Sequence, residues 1–178
     1  MRRPALLAVV TLLAATALPA QSIWVGGGPT FPTGDYGNYA KTGWMASAGV
    51  GFPLGEAKKL AVQFEGLYGS NSHSDVDGDK TNLYGGLANL NYRFGDVSKL
   101  GLYVYGGAGL LVHDYKSTTY PDEAGSDSKF AYQFGAGLDI PLGGIALWID
   151  AKYLRRAESY ATALFPLMAG ISIPIGKN

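Results

Sequence analysis

One octapeptide is written four times along this chain, and it limits what the chain can fold into. It reads AGVGFPLG over 48–55, ANLNYRFG over 88–95, AGLDIPLG over 136–143 and AGISIPIG over 169–176. All four copies obey Ala-x-Φ-x-Φ-x-Φ-Gly, where Φ is a large apolar residue. An alternation of period two is the signature of a strand with one apolar face. The other face carries Gly, Asn, Ser, Asp, Arg and Pro. The closing glycine stops the strand where a turn requires a positive φ.

The copies start 40, 48 and 33 residues apart (48→88→136→169). Each interval has room for a turn, an outgoing strand, a loop and a return strand. Every even-numbered strand therefore ends in the same way, and four such ends imply eight strands. The alternation places these strands at 22–29, 43–53, 60–70, 82–94, 100–113, 129–141, 145–155 and 161–175. Connections after even strands are short (GEAKK, GDVSK, LGG), whereas three of the four after odd strands are longer and polar. Short turns at one end and long loops at the other are the asymmetry of an outer-membrane barrel.

The first twenty residues read differently. MRRPALLAVVTLLAATALPA has two arginines, an apolar run too short to span a bilayer, small residues and no acid. We expect a secretory signal peptide over 1–20, with cleavage after Ala20 (cleavage after Ala17 would also fit), and one barrel domain over 21–178. The whole chain has 14 basic and 14 acidic residues. Losing Arg2 and Arg3 leaves 12 against 14, a charge of −2, which gives no basic footprint for nucleic acid. Cysteine is absent, so an exported fold must be held without disulfides, and closing a sheet on itself is one solution.

Alternation alone does not say whether the apolar face points in or out, but the second face does. Only 16% of residues are charged while 26 are glycine, a poor solvent coat but a good lining for a narrow lumen. The apolar face also ends in aromatics such as Trp44, Tyr68, Tyr92, Phe94 and Phe130, as interfacial girdles do. The expected fold is all-β: an eight-stranded antiparallel up-and-down transmembrane β-barrel.

The signal peptide, the loop PTGDYGNYAKTGW running into a Gly-rich strand, and the repeated strand ends resemble the small eight-stranded outer-membrane barrels. These are the porin-family or OmpA-transmembrane-domain-like group. The resemblance covers 21–178 and implies an outer-membrane location. It also implies lipid, lipopolysaccharide and the barrel-assembly machinery as partners, and a monomer. It implies little about activity, because that group includes adhesins, structural anchors and proteins without assigned activity.

Candidate sites are few. Asp75, Asp77 and Asp79 suggest a calcium loop, but the sixth and twelfth positions are Lys80 and Gly86 where Gly and Glu are required. His73, among Ser70, Ser72, Ser74 and Asp75, has the ingredients of a hydrolase without a fixed geometry. His113 reads as an inward residue near the loop end. We therefore expect no enzyme, no catalytic residues, no metal and no cofactor.

An eight-stranded barrel leaves a lumen that side chains can fill. The inward set includes Glu65, Arg93, Asp139, Asp150 and Lys152 as a charged network, with Arg93 expected to pair with Asp139 and Lys152 with Glu65 or Asp150. Tyr103, Tyr105 and Trp148 are expected to plug the lower lumen. Two functions are then open. One is a non-enzymatic structural barrel, interacting through loops 30–42, 71–81 and 114–128 with their Tyr36, Tyr39, Tyr115 and Tyr120. The alternative is a small porin or a conduit for small or apolar solutes.

Overall fold

A computed structural model describes residues 21–74, 78–96, 99–119, 122, 124–158 and 162–175. The expected signal peptide, Asp75, Asp77 and Tyr120 lie outside the described residues. Eight strands are formed: β1 (Gln21–Thr33), β2 (Gly43–Leu54), β3 (Leu60–Ser72), β4 (Lys80–Arg93), β5 (Gly101–Lys116), β6 (Gly125–Pro141), β7 (Ala146–Arg156) and β8 (Ala163–Ile175). Each pairs antiparallel with its neighbour in sequence, and β1 also pairs with β8, so the sheet closes.

The octapeptides are the short-turn halves of β2, β4, β6 and β8. Their Φ residues face outward; Leu54, Leu90, Leu138 and Ile173 are among the exposed large apolar side chains. The closing Gly55, Gly95 and Gly143 have φ of 70°, 80° and 86°, a region costly for any residue with a Cβ. The leading alanines help build a waist of small outward residues, continued on other strands by Gly27, Gly66 and Ala151.

At the long-loop end the strands run further than the alternation indicates. β1 continues to Thr33, β5 to Lys116, and β6 begins at Gly125. These extensions are polar, and backbone pairing continues above the apolar band because polarity does not end a strand. Leu110 and Leu111 are both apolar, yet only Leu111 is buried inside the barrel.

Two ladders of the wall are interrupted. The β1–β8 ladder runs from Gln21↔Ile175 to Gly27↔Ala169 and resumes at Thr30↔Pro166. The β7–β8 ladder likewise skips from Ala151↔Leu167 to Leu154↔Leu164. Pro29 and Pro166, which have no N–H to donate, fall at these breaks.

Candidate functional site: the barrel lumen

The lumen has three storeys. At the short-turn end, Arg93 near the end of β4 forms an ion pair with Asp139 near the end of β6. Arg93 also donates from Nη2 to the Lys99 carbonyl at 2.7 Å. Gly101 leaves room for this, since a Cβ there would lie 2.7 Å from the guanidinium carbon. Further in, Lys152 Nζ on β7 stands 2.6 Å from Glu65 Oε1 on β3. The other Glu65 oxygen accepts from Asn89 at 3.2 Å and from Gln133. Asp150 does not join this pair; one of its oxygens accepts from Tyr103 at 3.3 Å and Tyr105 at 3.1 Å.

Tyr103, Tyr105 and Trp148 lie against the wall instead of across the lumen. A Cβ on Gly137 would meet Tyr103 at 2.5 Å, and one on Gly135 would meet Tyr105 at 2.8 Å. Trp148 lies over Gly26 and Gly170 and meets Trp24 edge to face, centroids 5.8 Å apart. These rings border a cavity of about 390 Å³ that they do not fill.

The obstruction is higher. Met45, Leu67, Leu87, Leu111, Leu154 and Leu164, from six different strands, form a buried apolar layer across the lumen. Sequence reasoning missed this layer because it assigned the inner face to polar and small residues.

Above it the long connections fold into a cap. The 3-10 turn Gly34–Asn38 drives Tyr36 into the barrel mouth, where it is wholly buried, and burial pushes its hydroxyl pKa up. Tyr36, Tyr39, His73 and Tyr115 then form a ladder of rings with centroid spacings of 5.4, 5.4 and 5.2 Å. Tyr36 is therefore not a contact residue for an outside partner. Asn71 ties the cap down through Thr30 and the Lys41 carbonyl.

Among the described residues of the candidate clusters, His73 Nε2 lies 2.8 Å from Thr81 Oγ1, while Ser74 donates to the Tyr39 carbonyl at 2.9 Å. Ser70 and Ser72 fall on the outward face by alternation, away from the His73 ring. His113 sits opposite Asp127 across β5 and β6. Asp79 accepts from Tyr115 at 2.6 Å and the Thr118 amide at 2.9 Å, which lowers its pKa below the usual range.

A closed antiparallel barrel with an apolar girdle outside, charged pairs inside, short turns at one end and a capped mouth at the other defines a transmembrane barrel of the outer membrane. Residues 5–171 match the family described as outer membrane protein beta-barrel domain, and the chain belongs to that family. No curated protein matches it. Among solved structures it is similar to neisserial surface protein A, at 12% identity over 86% of this chain and 97% of that one, with a TM-score of 0.64. It is similar to Ail, the attachment invasion locus protein of Yersinia pestis, at 18% identity over 88% and 99%, TM-score 0.56. The outer membrane enzyme PagL matches at 16% identity over 86% and 99%, TM-score 0.50. At such identities the likeness concerns the fold alone.

Proposed function

We propose that the protein is a closed, non-catalytic structural barrel of the outer membrane, held in lipid and lipopolysaccharide by its girdles after insertion by the barrel-assembly machinery. The apolar layer carries this reading. Six buried Leu and Met side chains stand in the way of an ion, and stripping its water there is costly. The cap supports it too, since Tyr36, Tyr39 and Tyr115 pack with His73 into one ladder of rings over the mouth. For the non-catalytic part, the support is that the His73 ring is packed between Tyr39 and Tyr115 with its Nε2 at Thr81 Oγ1, inside the cap. The refolded protein in a planar bilayer should give no steady conductance; a large, sustained one would overturn the reading in favour of a porin.

One observation favours the conduit alternative, with an apolar solute as cargo. An apolar hollow of about 530 Å³ on the lipid face is lined by Gly27, Gly28, Pro29, Leu167 and Ala169, beside the break in the β1–β8 ladder. Cross-linking β1 to β8 through engineered cysteines at Gly27 and Ala169 would block such a lateral route. Unchanged uptake of apolar solutes by cells carrying the cross-linked protein would remove this alternative.

A further inference from the structure

The short-turn half of the lumen is hollow, where an eight-stranded barrel ordinarily leaves only enough space for side chains to fill. The hollow, of about 390 Å³, is within the range of small-molecule sites and could hold roughly a dozen waters. Its lining is mixed. Ser22, Ser47, Gly51, Ala61 and Ser172 supply small side chains along β8, β1, β2 and β3, with the Trp24 ring over Gly49 among them. Tyr103 and Tyr105 line β5, and the Trp148 ring reaches from β7 over Gly26 and Gly170. The wall glycines described above keep these rings flat, so the space is built into the fold.

Its inner end is closed by the Lys152–Glu65 pair with Asn89 and Gln133, and beyond them by the apolar layer. The short turns of such barrels face the periplasm, so a solute entering from that side would be held and not passed through. The acids of the lining are engaged: Glu65 by Lys152, Asp139 by Arg93 and Asp150 by two tyrosine hydroxyls. Lys58 and Lys59, on the turn after β2, border the same hollow, are exposed, and form no ion pair among the described residues. Tyrosine hydroxyls do not cancel the charge of Asp150, so the lining sets four bases (Lys58, Lys59, Arg93, Lys152) against three acids (Glu65, Asp139, Asp150), an excess of one positive charge. The two lysines without an ion-pair partner among the described residues stand at the mouth, where they draw anions inward.

We propose that this hollow is a periplasm-facing binding pocket for a small hydroxylated anion of sugar-acid size. Its carboxylate meets Lys58 and Lys59. Its ring lies among Tyr103, Tyr105 and Trp148, and its hydroxyls face Ser22, Ser47 and Ser172, whose side chains can both donate and accept. This site goes beyond the closed-barrel reading and does not depend on it, because the pocket lies below the layer that closes the lumen.

The three tryptophans supply the test. Trp24 and Trp148 border the hollow, while Trp44 lies on the outside of β2 at 51% exposure. The full chain refolded in micelles is titrated with glucuronate, glucose and glucosamine, following the indole N–H resonances. Glucuronate should shift Trp24 and Trp148 saturably and leave Trp44 in place. Glucose should bind about tenfold more weakly, the scale of two partly screened charge contacts, and glucosamine not at all. The double change Lys58→Glu and Lys59→Glu, on an exposed turn, should abolish the preference for glucuronate without disturbing the barrel. Ala61→Phe should fill the hollow and remove the response. No saturable shift with glucuronate, an equal response to glucosamine, or undiminished preference in the double lysine variant would each overturn the proposal. Conductance in the bilayer experiment would leave these outcomes readable.

Discussion

Lys152 and Glu65 meet across the full diameter of the barrel. They stand on β7 and β3, four strands apart in a ring of eight, and their side chains are only 2% and 3% exposed. Each charge is removed from water and answered by the other, with Asn89 and Gln133 satisfying the remaining carboxylate oxygen. The pair fixes the distance between two opposite walls.

Removing one partner should therefore cost more than removing both. Glu65→Gln or Lys152→Met alone leaves a charge buried without its counter-ion, a loss of about 3–5 kcal/mol. The double variant should recover part of that, as coupled neighbours do. Urea unfolding of the protein refolded in lipid vesicles measures all three, and two neutral single variants would contradict the burial of this pair.

On the lipid face, depth should set the cost of charge. Phe134 lies midway along the outward apolar run of β6 at 57% exposure, whereas Leu102 lies near the short-turn end of β5 at 59%. Phe134→Arg should cost about 2–4 kcal/mol and Leu102→Arg about 0–1 kcal/mol. Equal costs in vesicle unfolding would mean that the apolar band is centred elsewhere.

Within the apolar layer, Leu111 and Leu164 are 0% and 1% exposed. Leu111→Ala and Leu164→Ala should each cost about 2–5 kcal/mol through lost burial and the cavity left behind. The same unfolding assay reads this. Losses below 1 kcal/mol would place the closure of the lumen in other residues.

The cap should loosen in acid before the barrel does. The Asp79 carboxyl is held below its ordinary pKa, chiefly by the Tyr115 hydroxyl and further by the Thr118 amide. A depressed folded-state pKa means that its contribution is complete above the unfolded value, near 4, and fades as pH falls through the lower folded value. Hydrogen exchange at the Thr118 amide should accelerate over that window while strand amides stay protected. In Asp79→Asn the exchange should already be fast at neutral pH and no longer vary in this way.

Much of this protein was legible in one dimension. The alternation in AGVGFPLG and its three companions determined that Val50, Phe52 and Leu54 share a face. It did so because side-chain direction along a strand follows from position alone. The closing Gly55, Gly95 and Gly143 marked three turns, and the place of Arg93 and Asp139 late in even strands pointed to their pairing. The tertiary structure alone decided which inward residues meet across the lumen. Closure and strand stagger select Lys152 for Glu65 and leave Asp150 to Tyr103 and Tyr105, and neither choice is local. Alternation already set Leu110 outward and Leu67 inward; the tertiary structure decided that Leu67, Leu111 and Leu154 meet in one layer that closes the barrel. An apolar side chain gains by leaving water whether it enters lipid or a packed interior, so its hydrophobicity does not reveal which of the two receives it. Only the closed wall separates them.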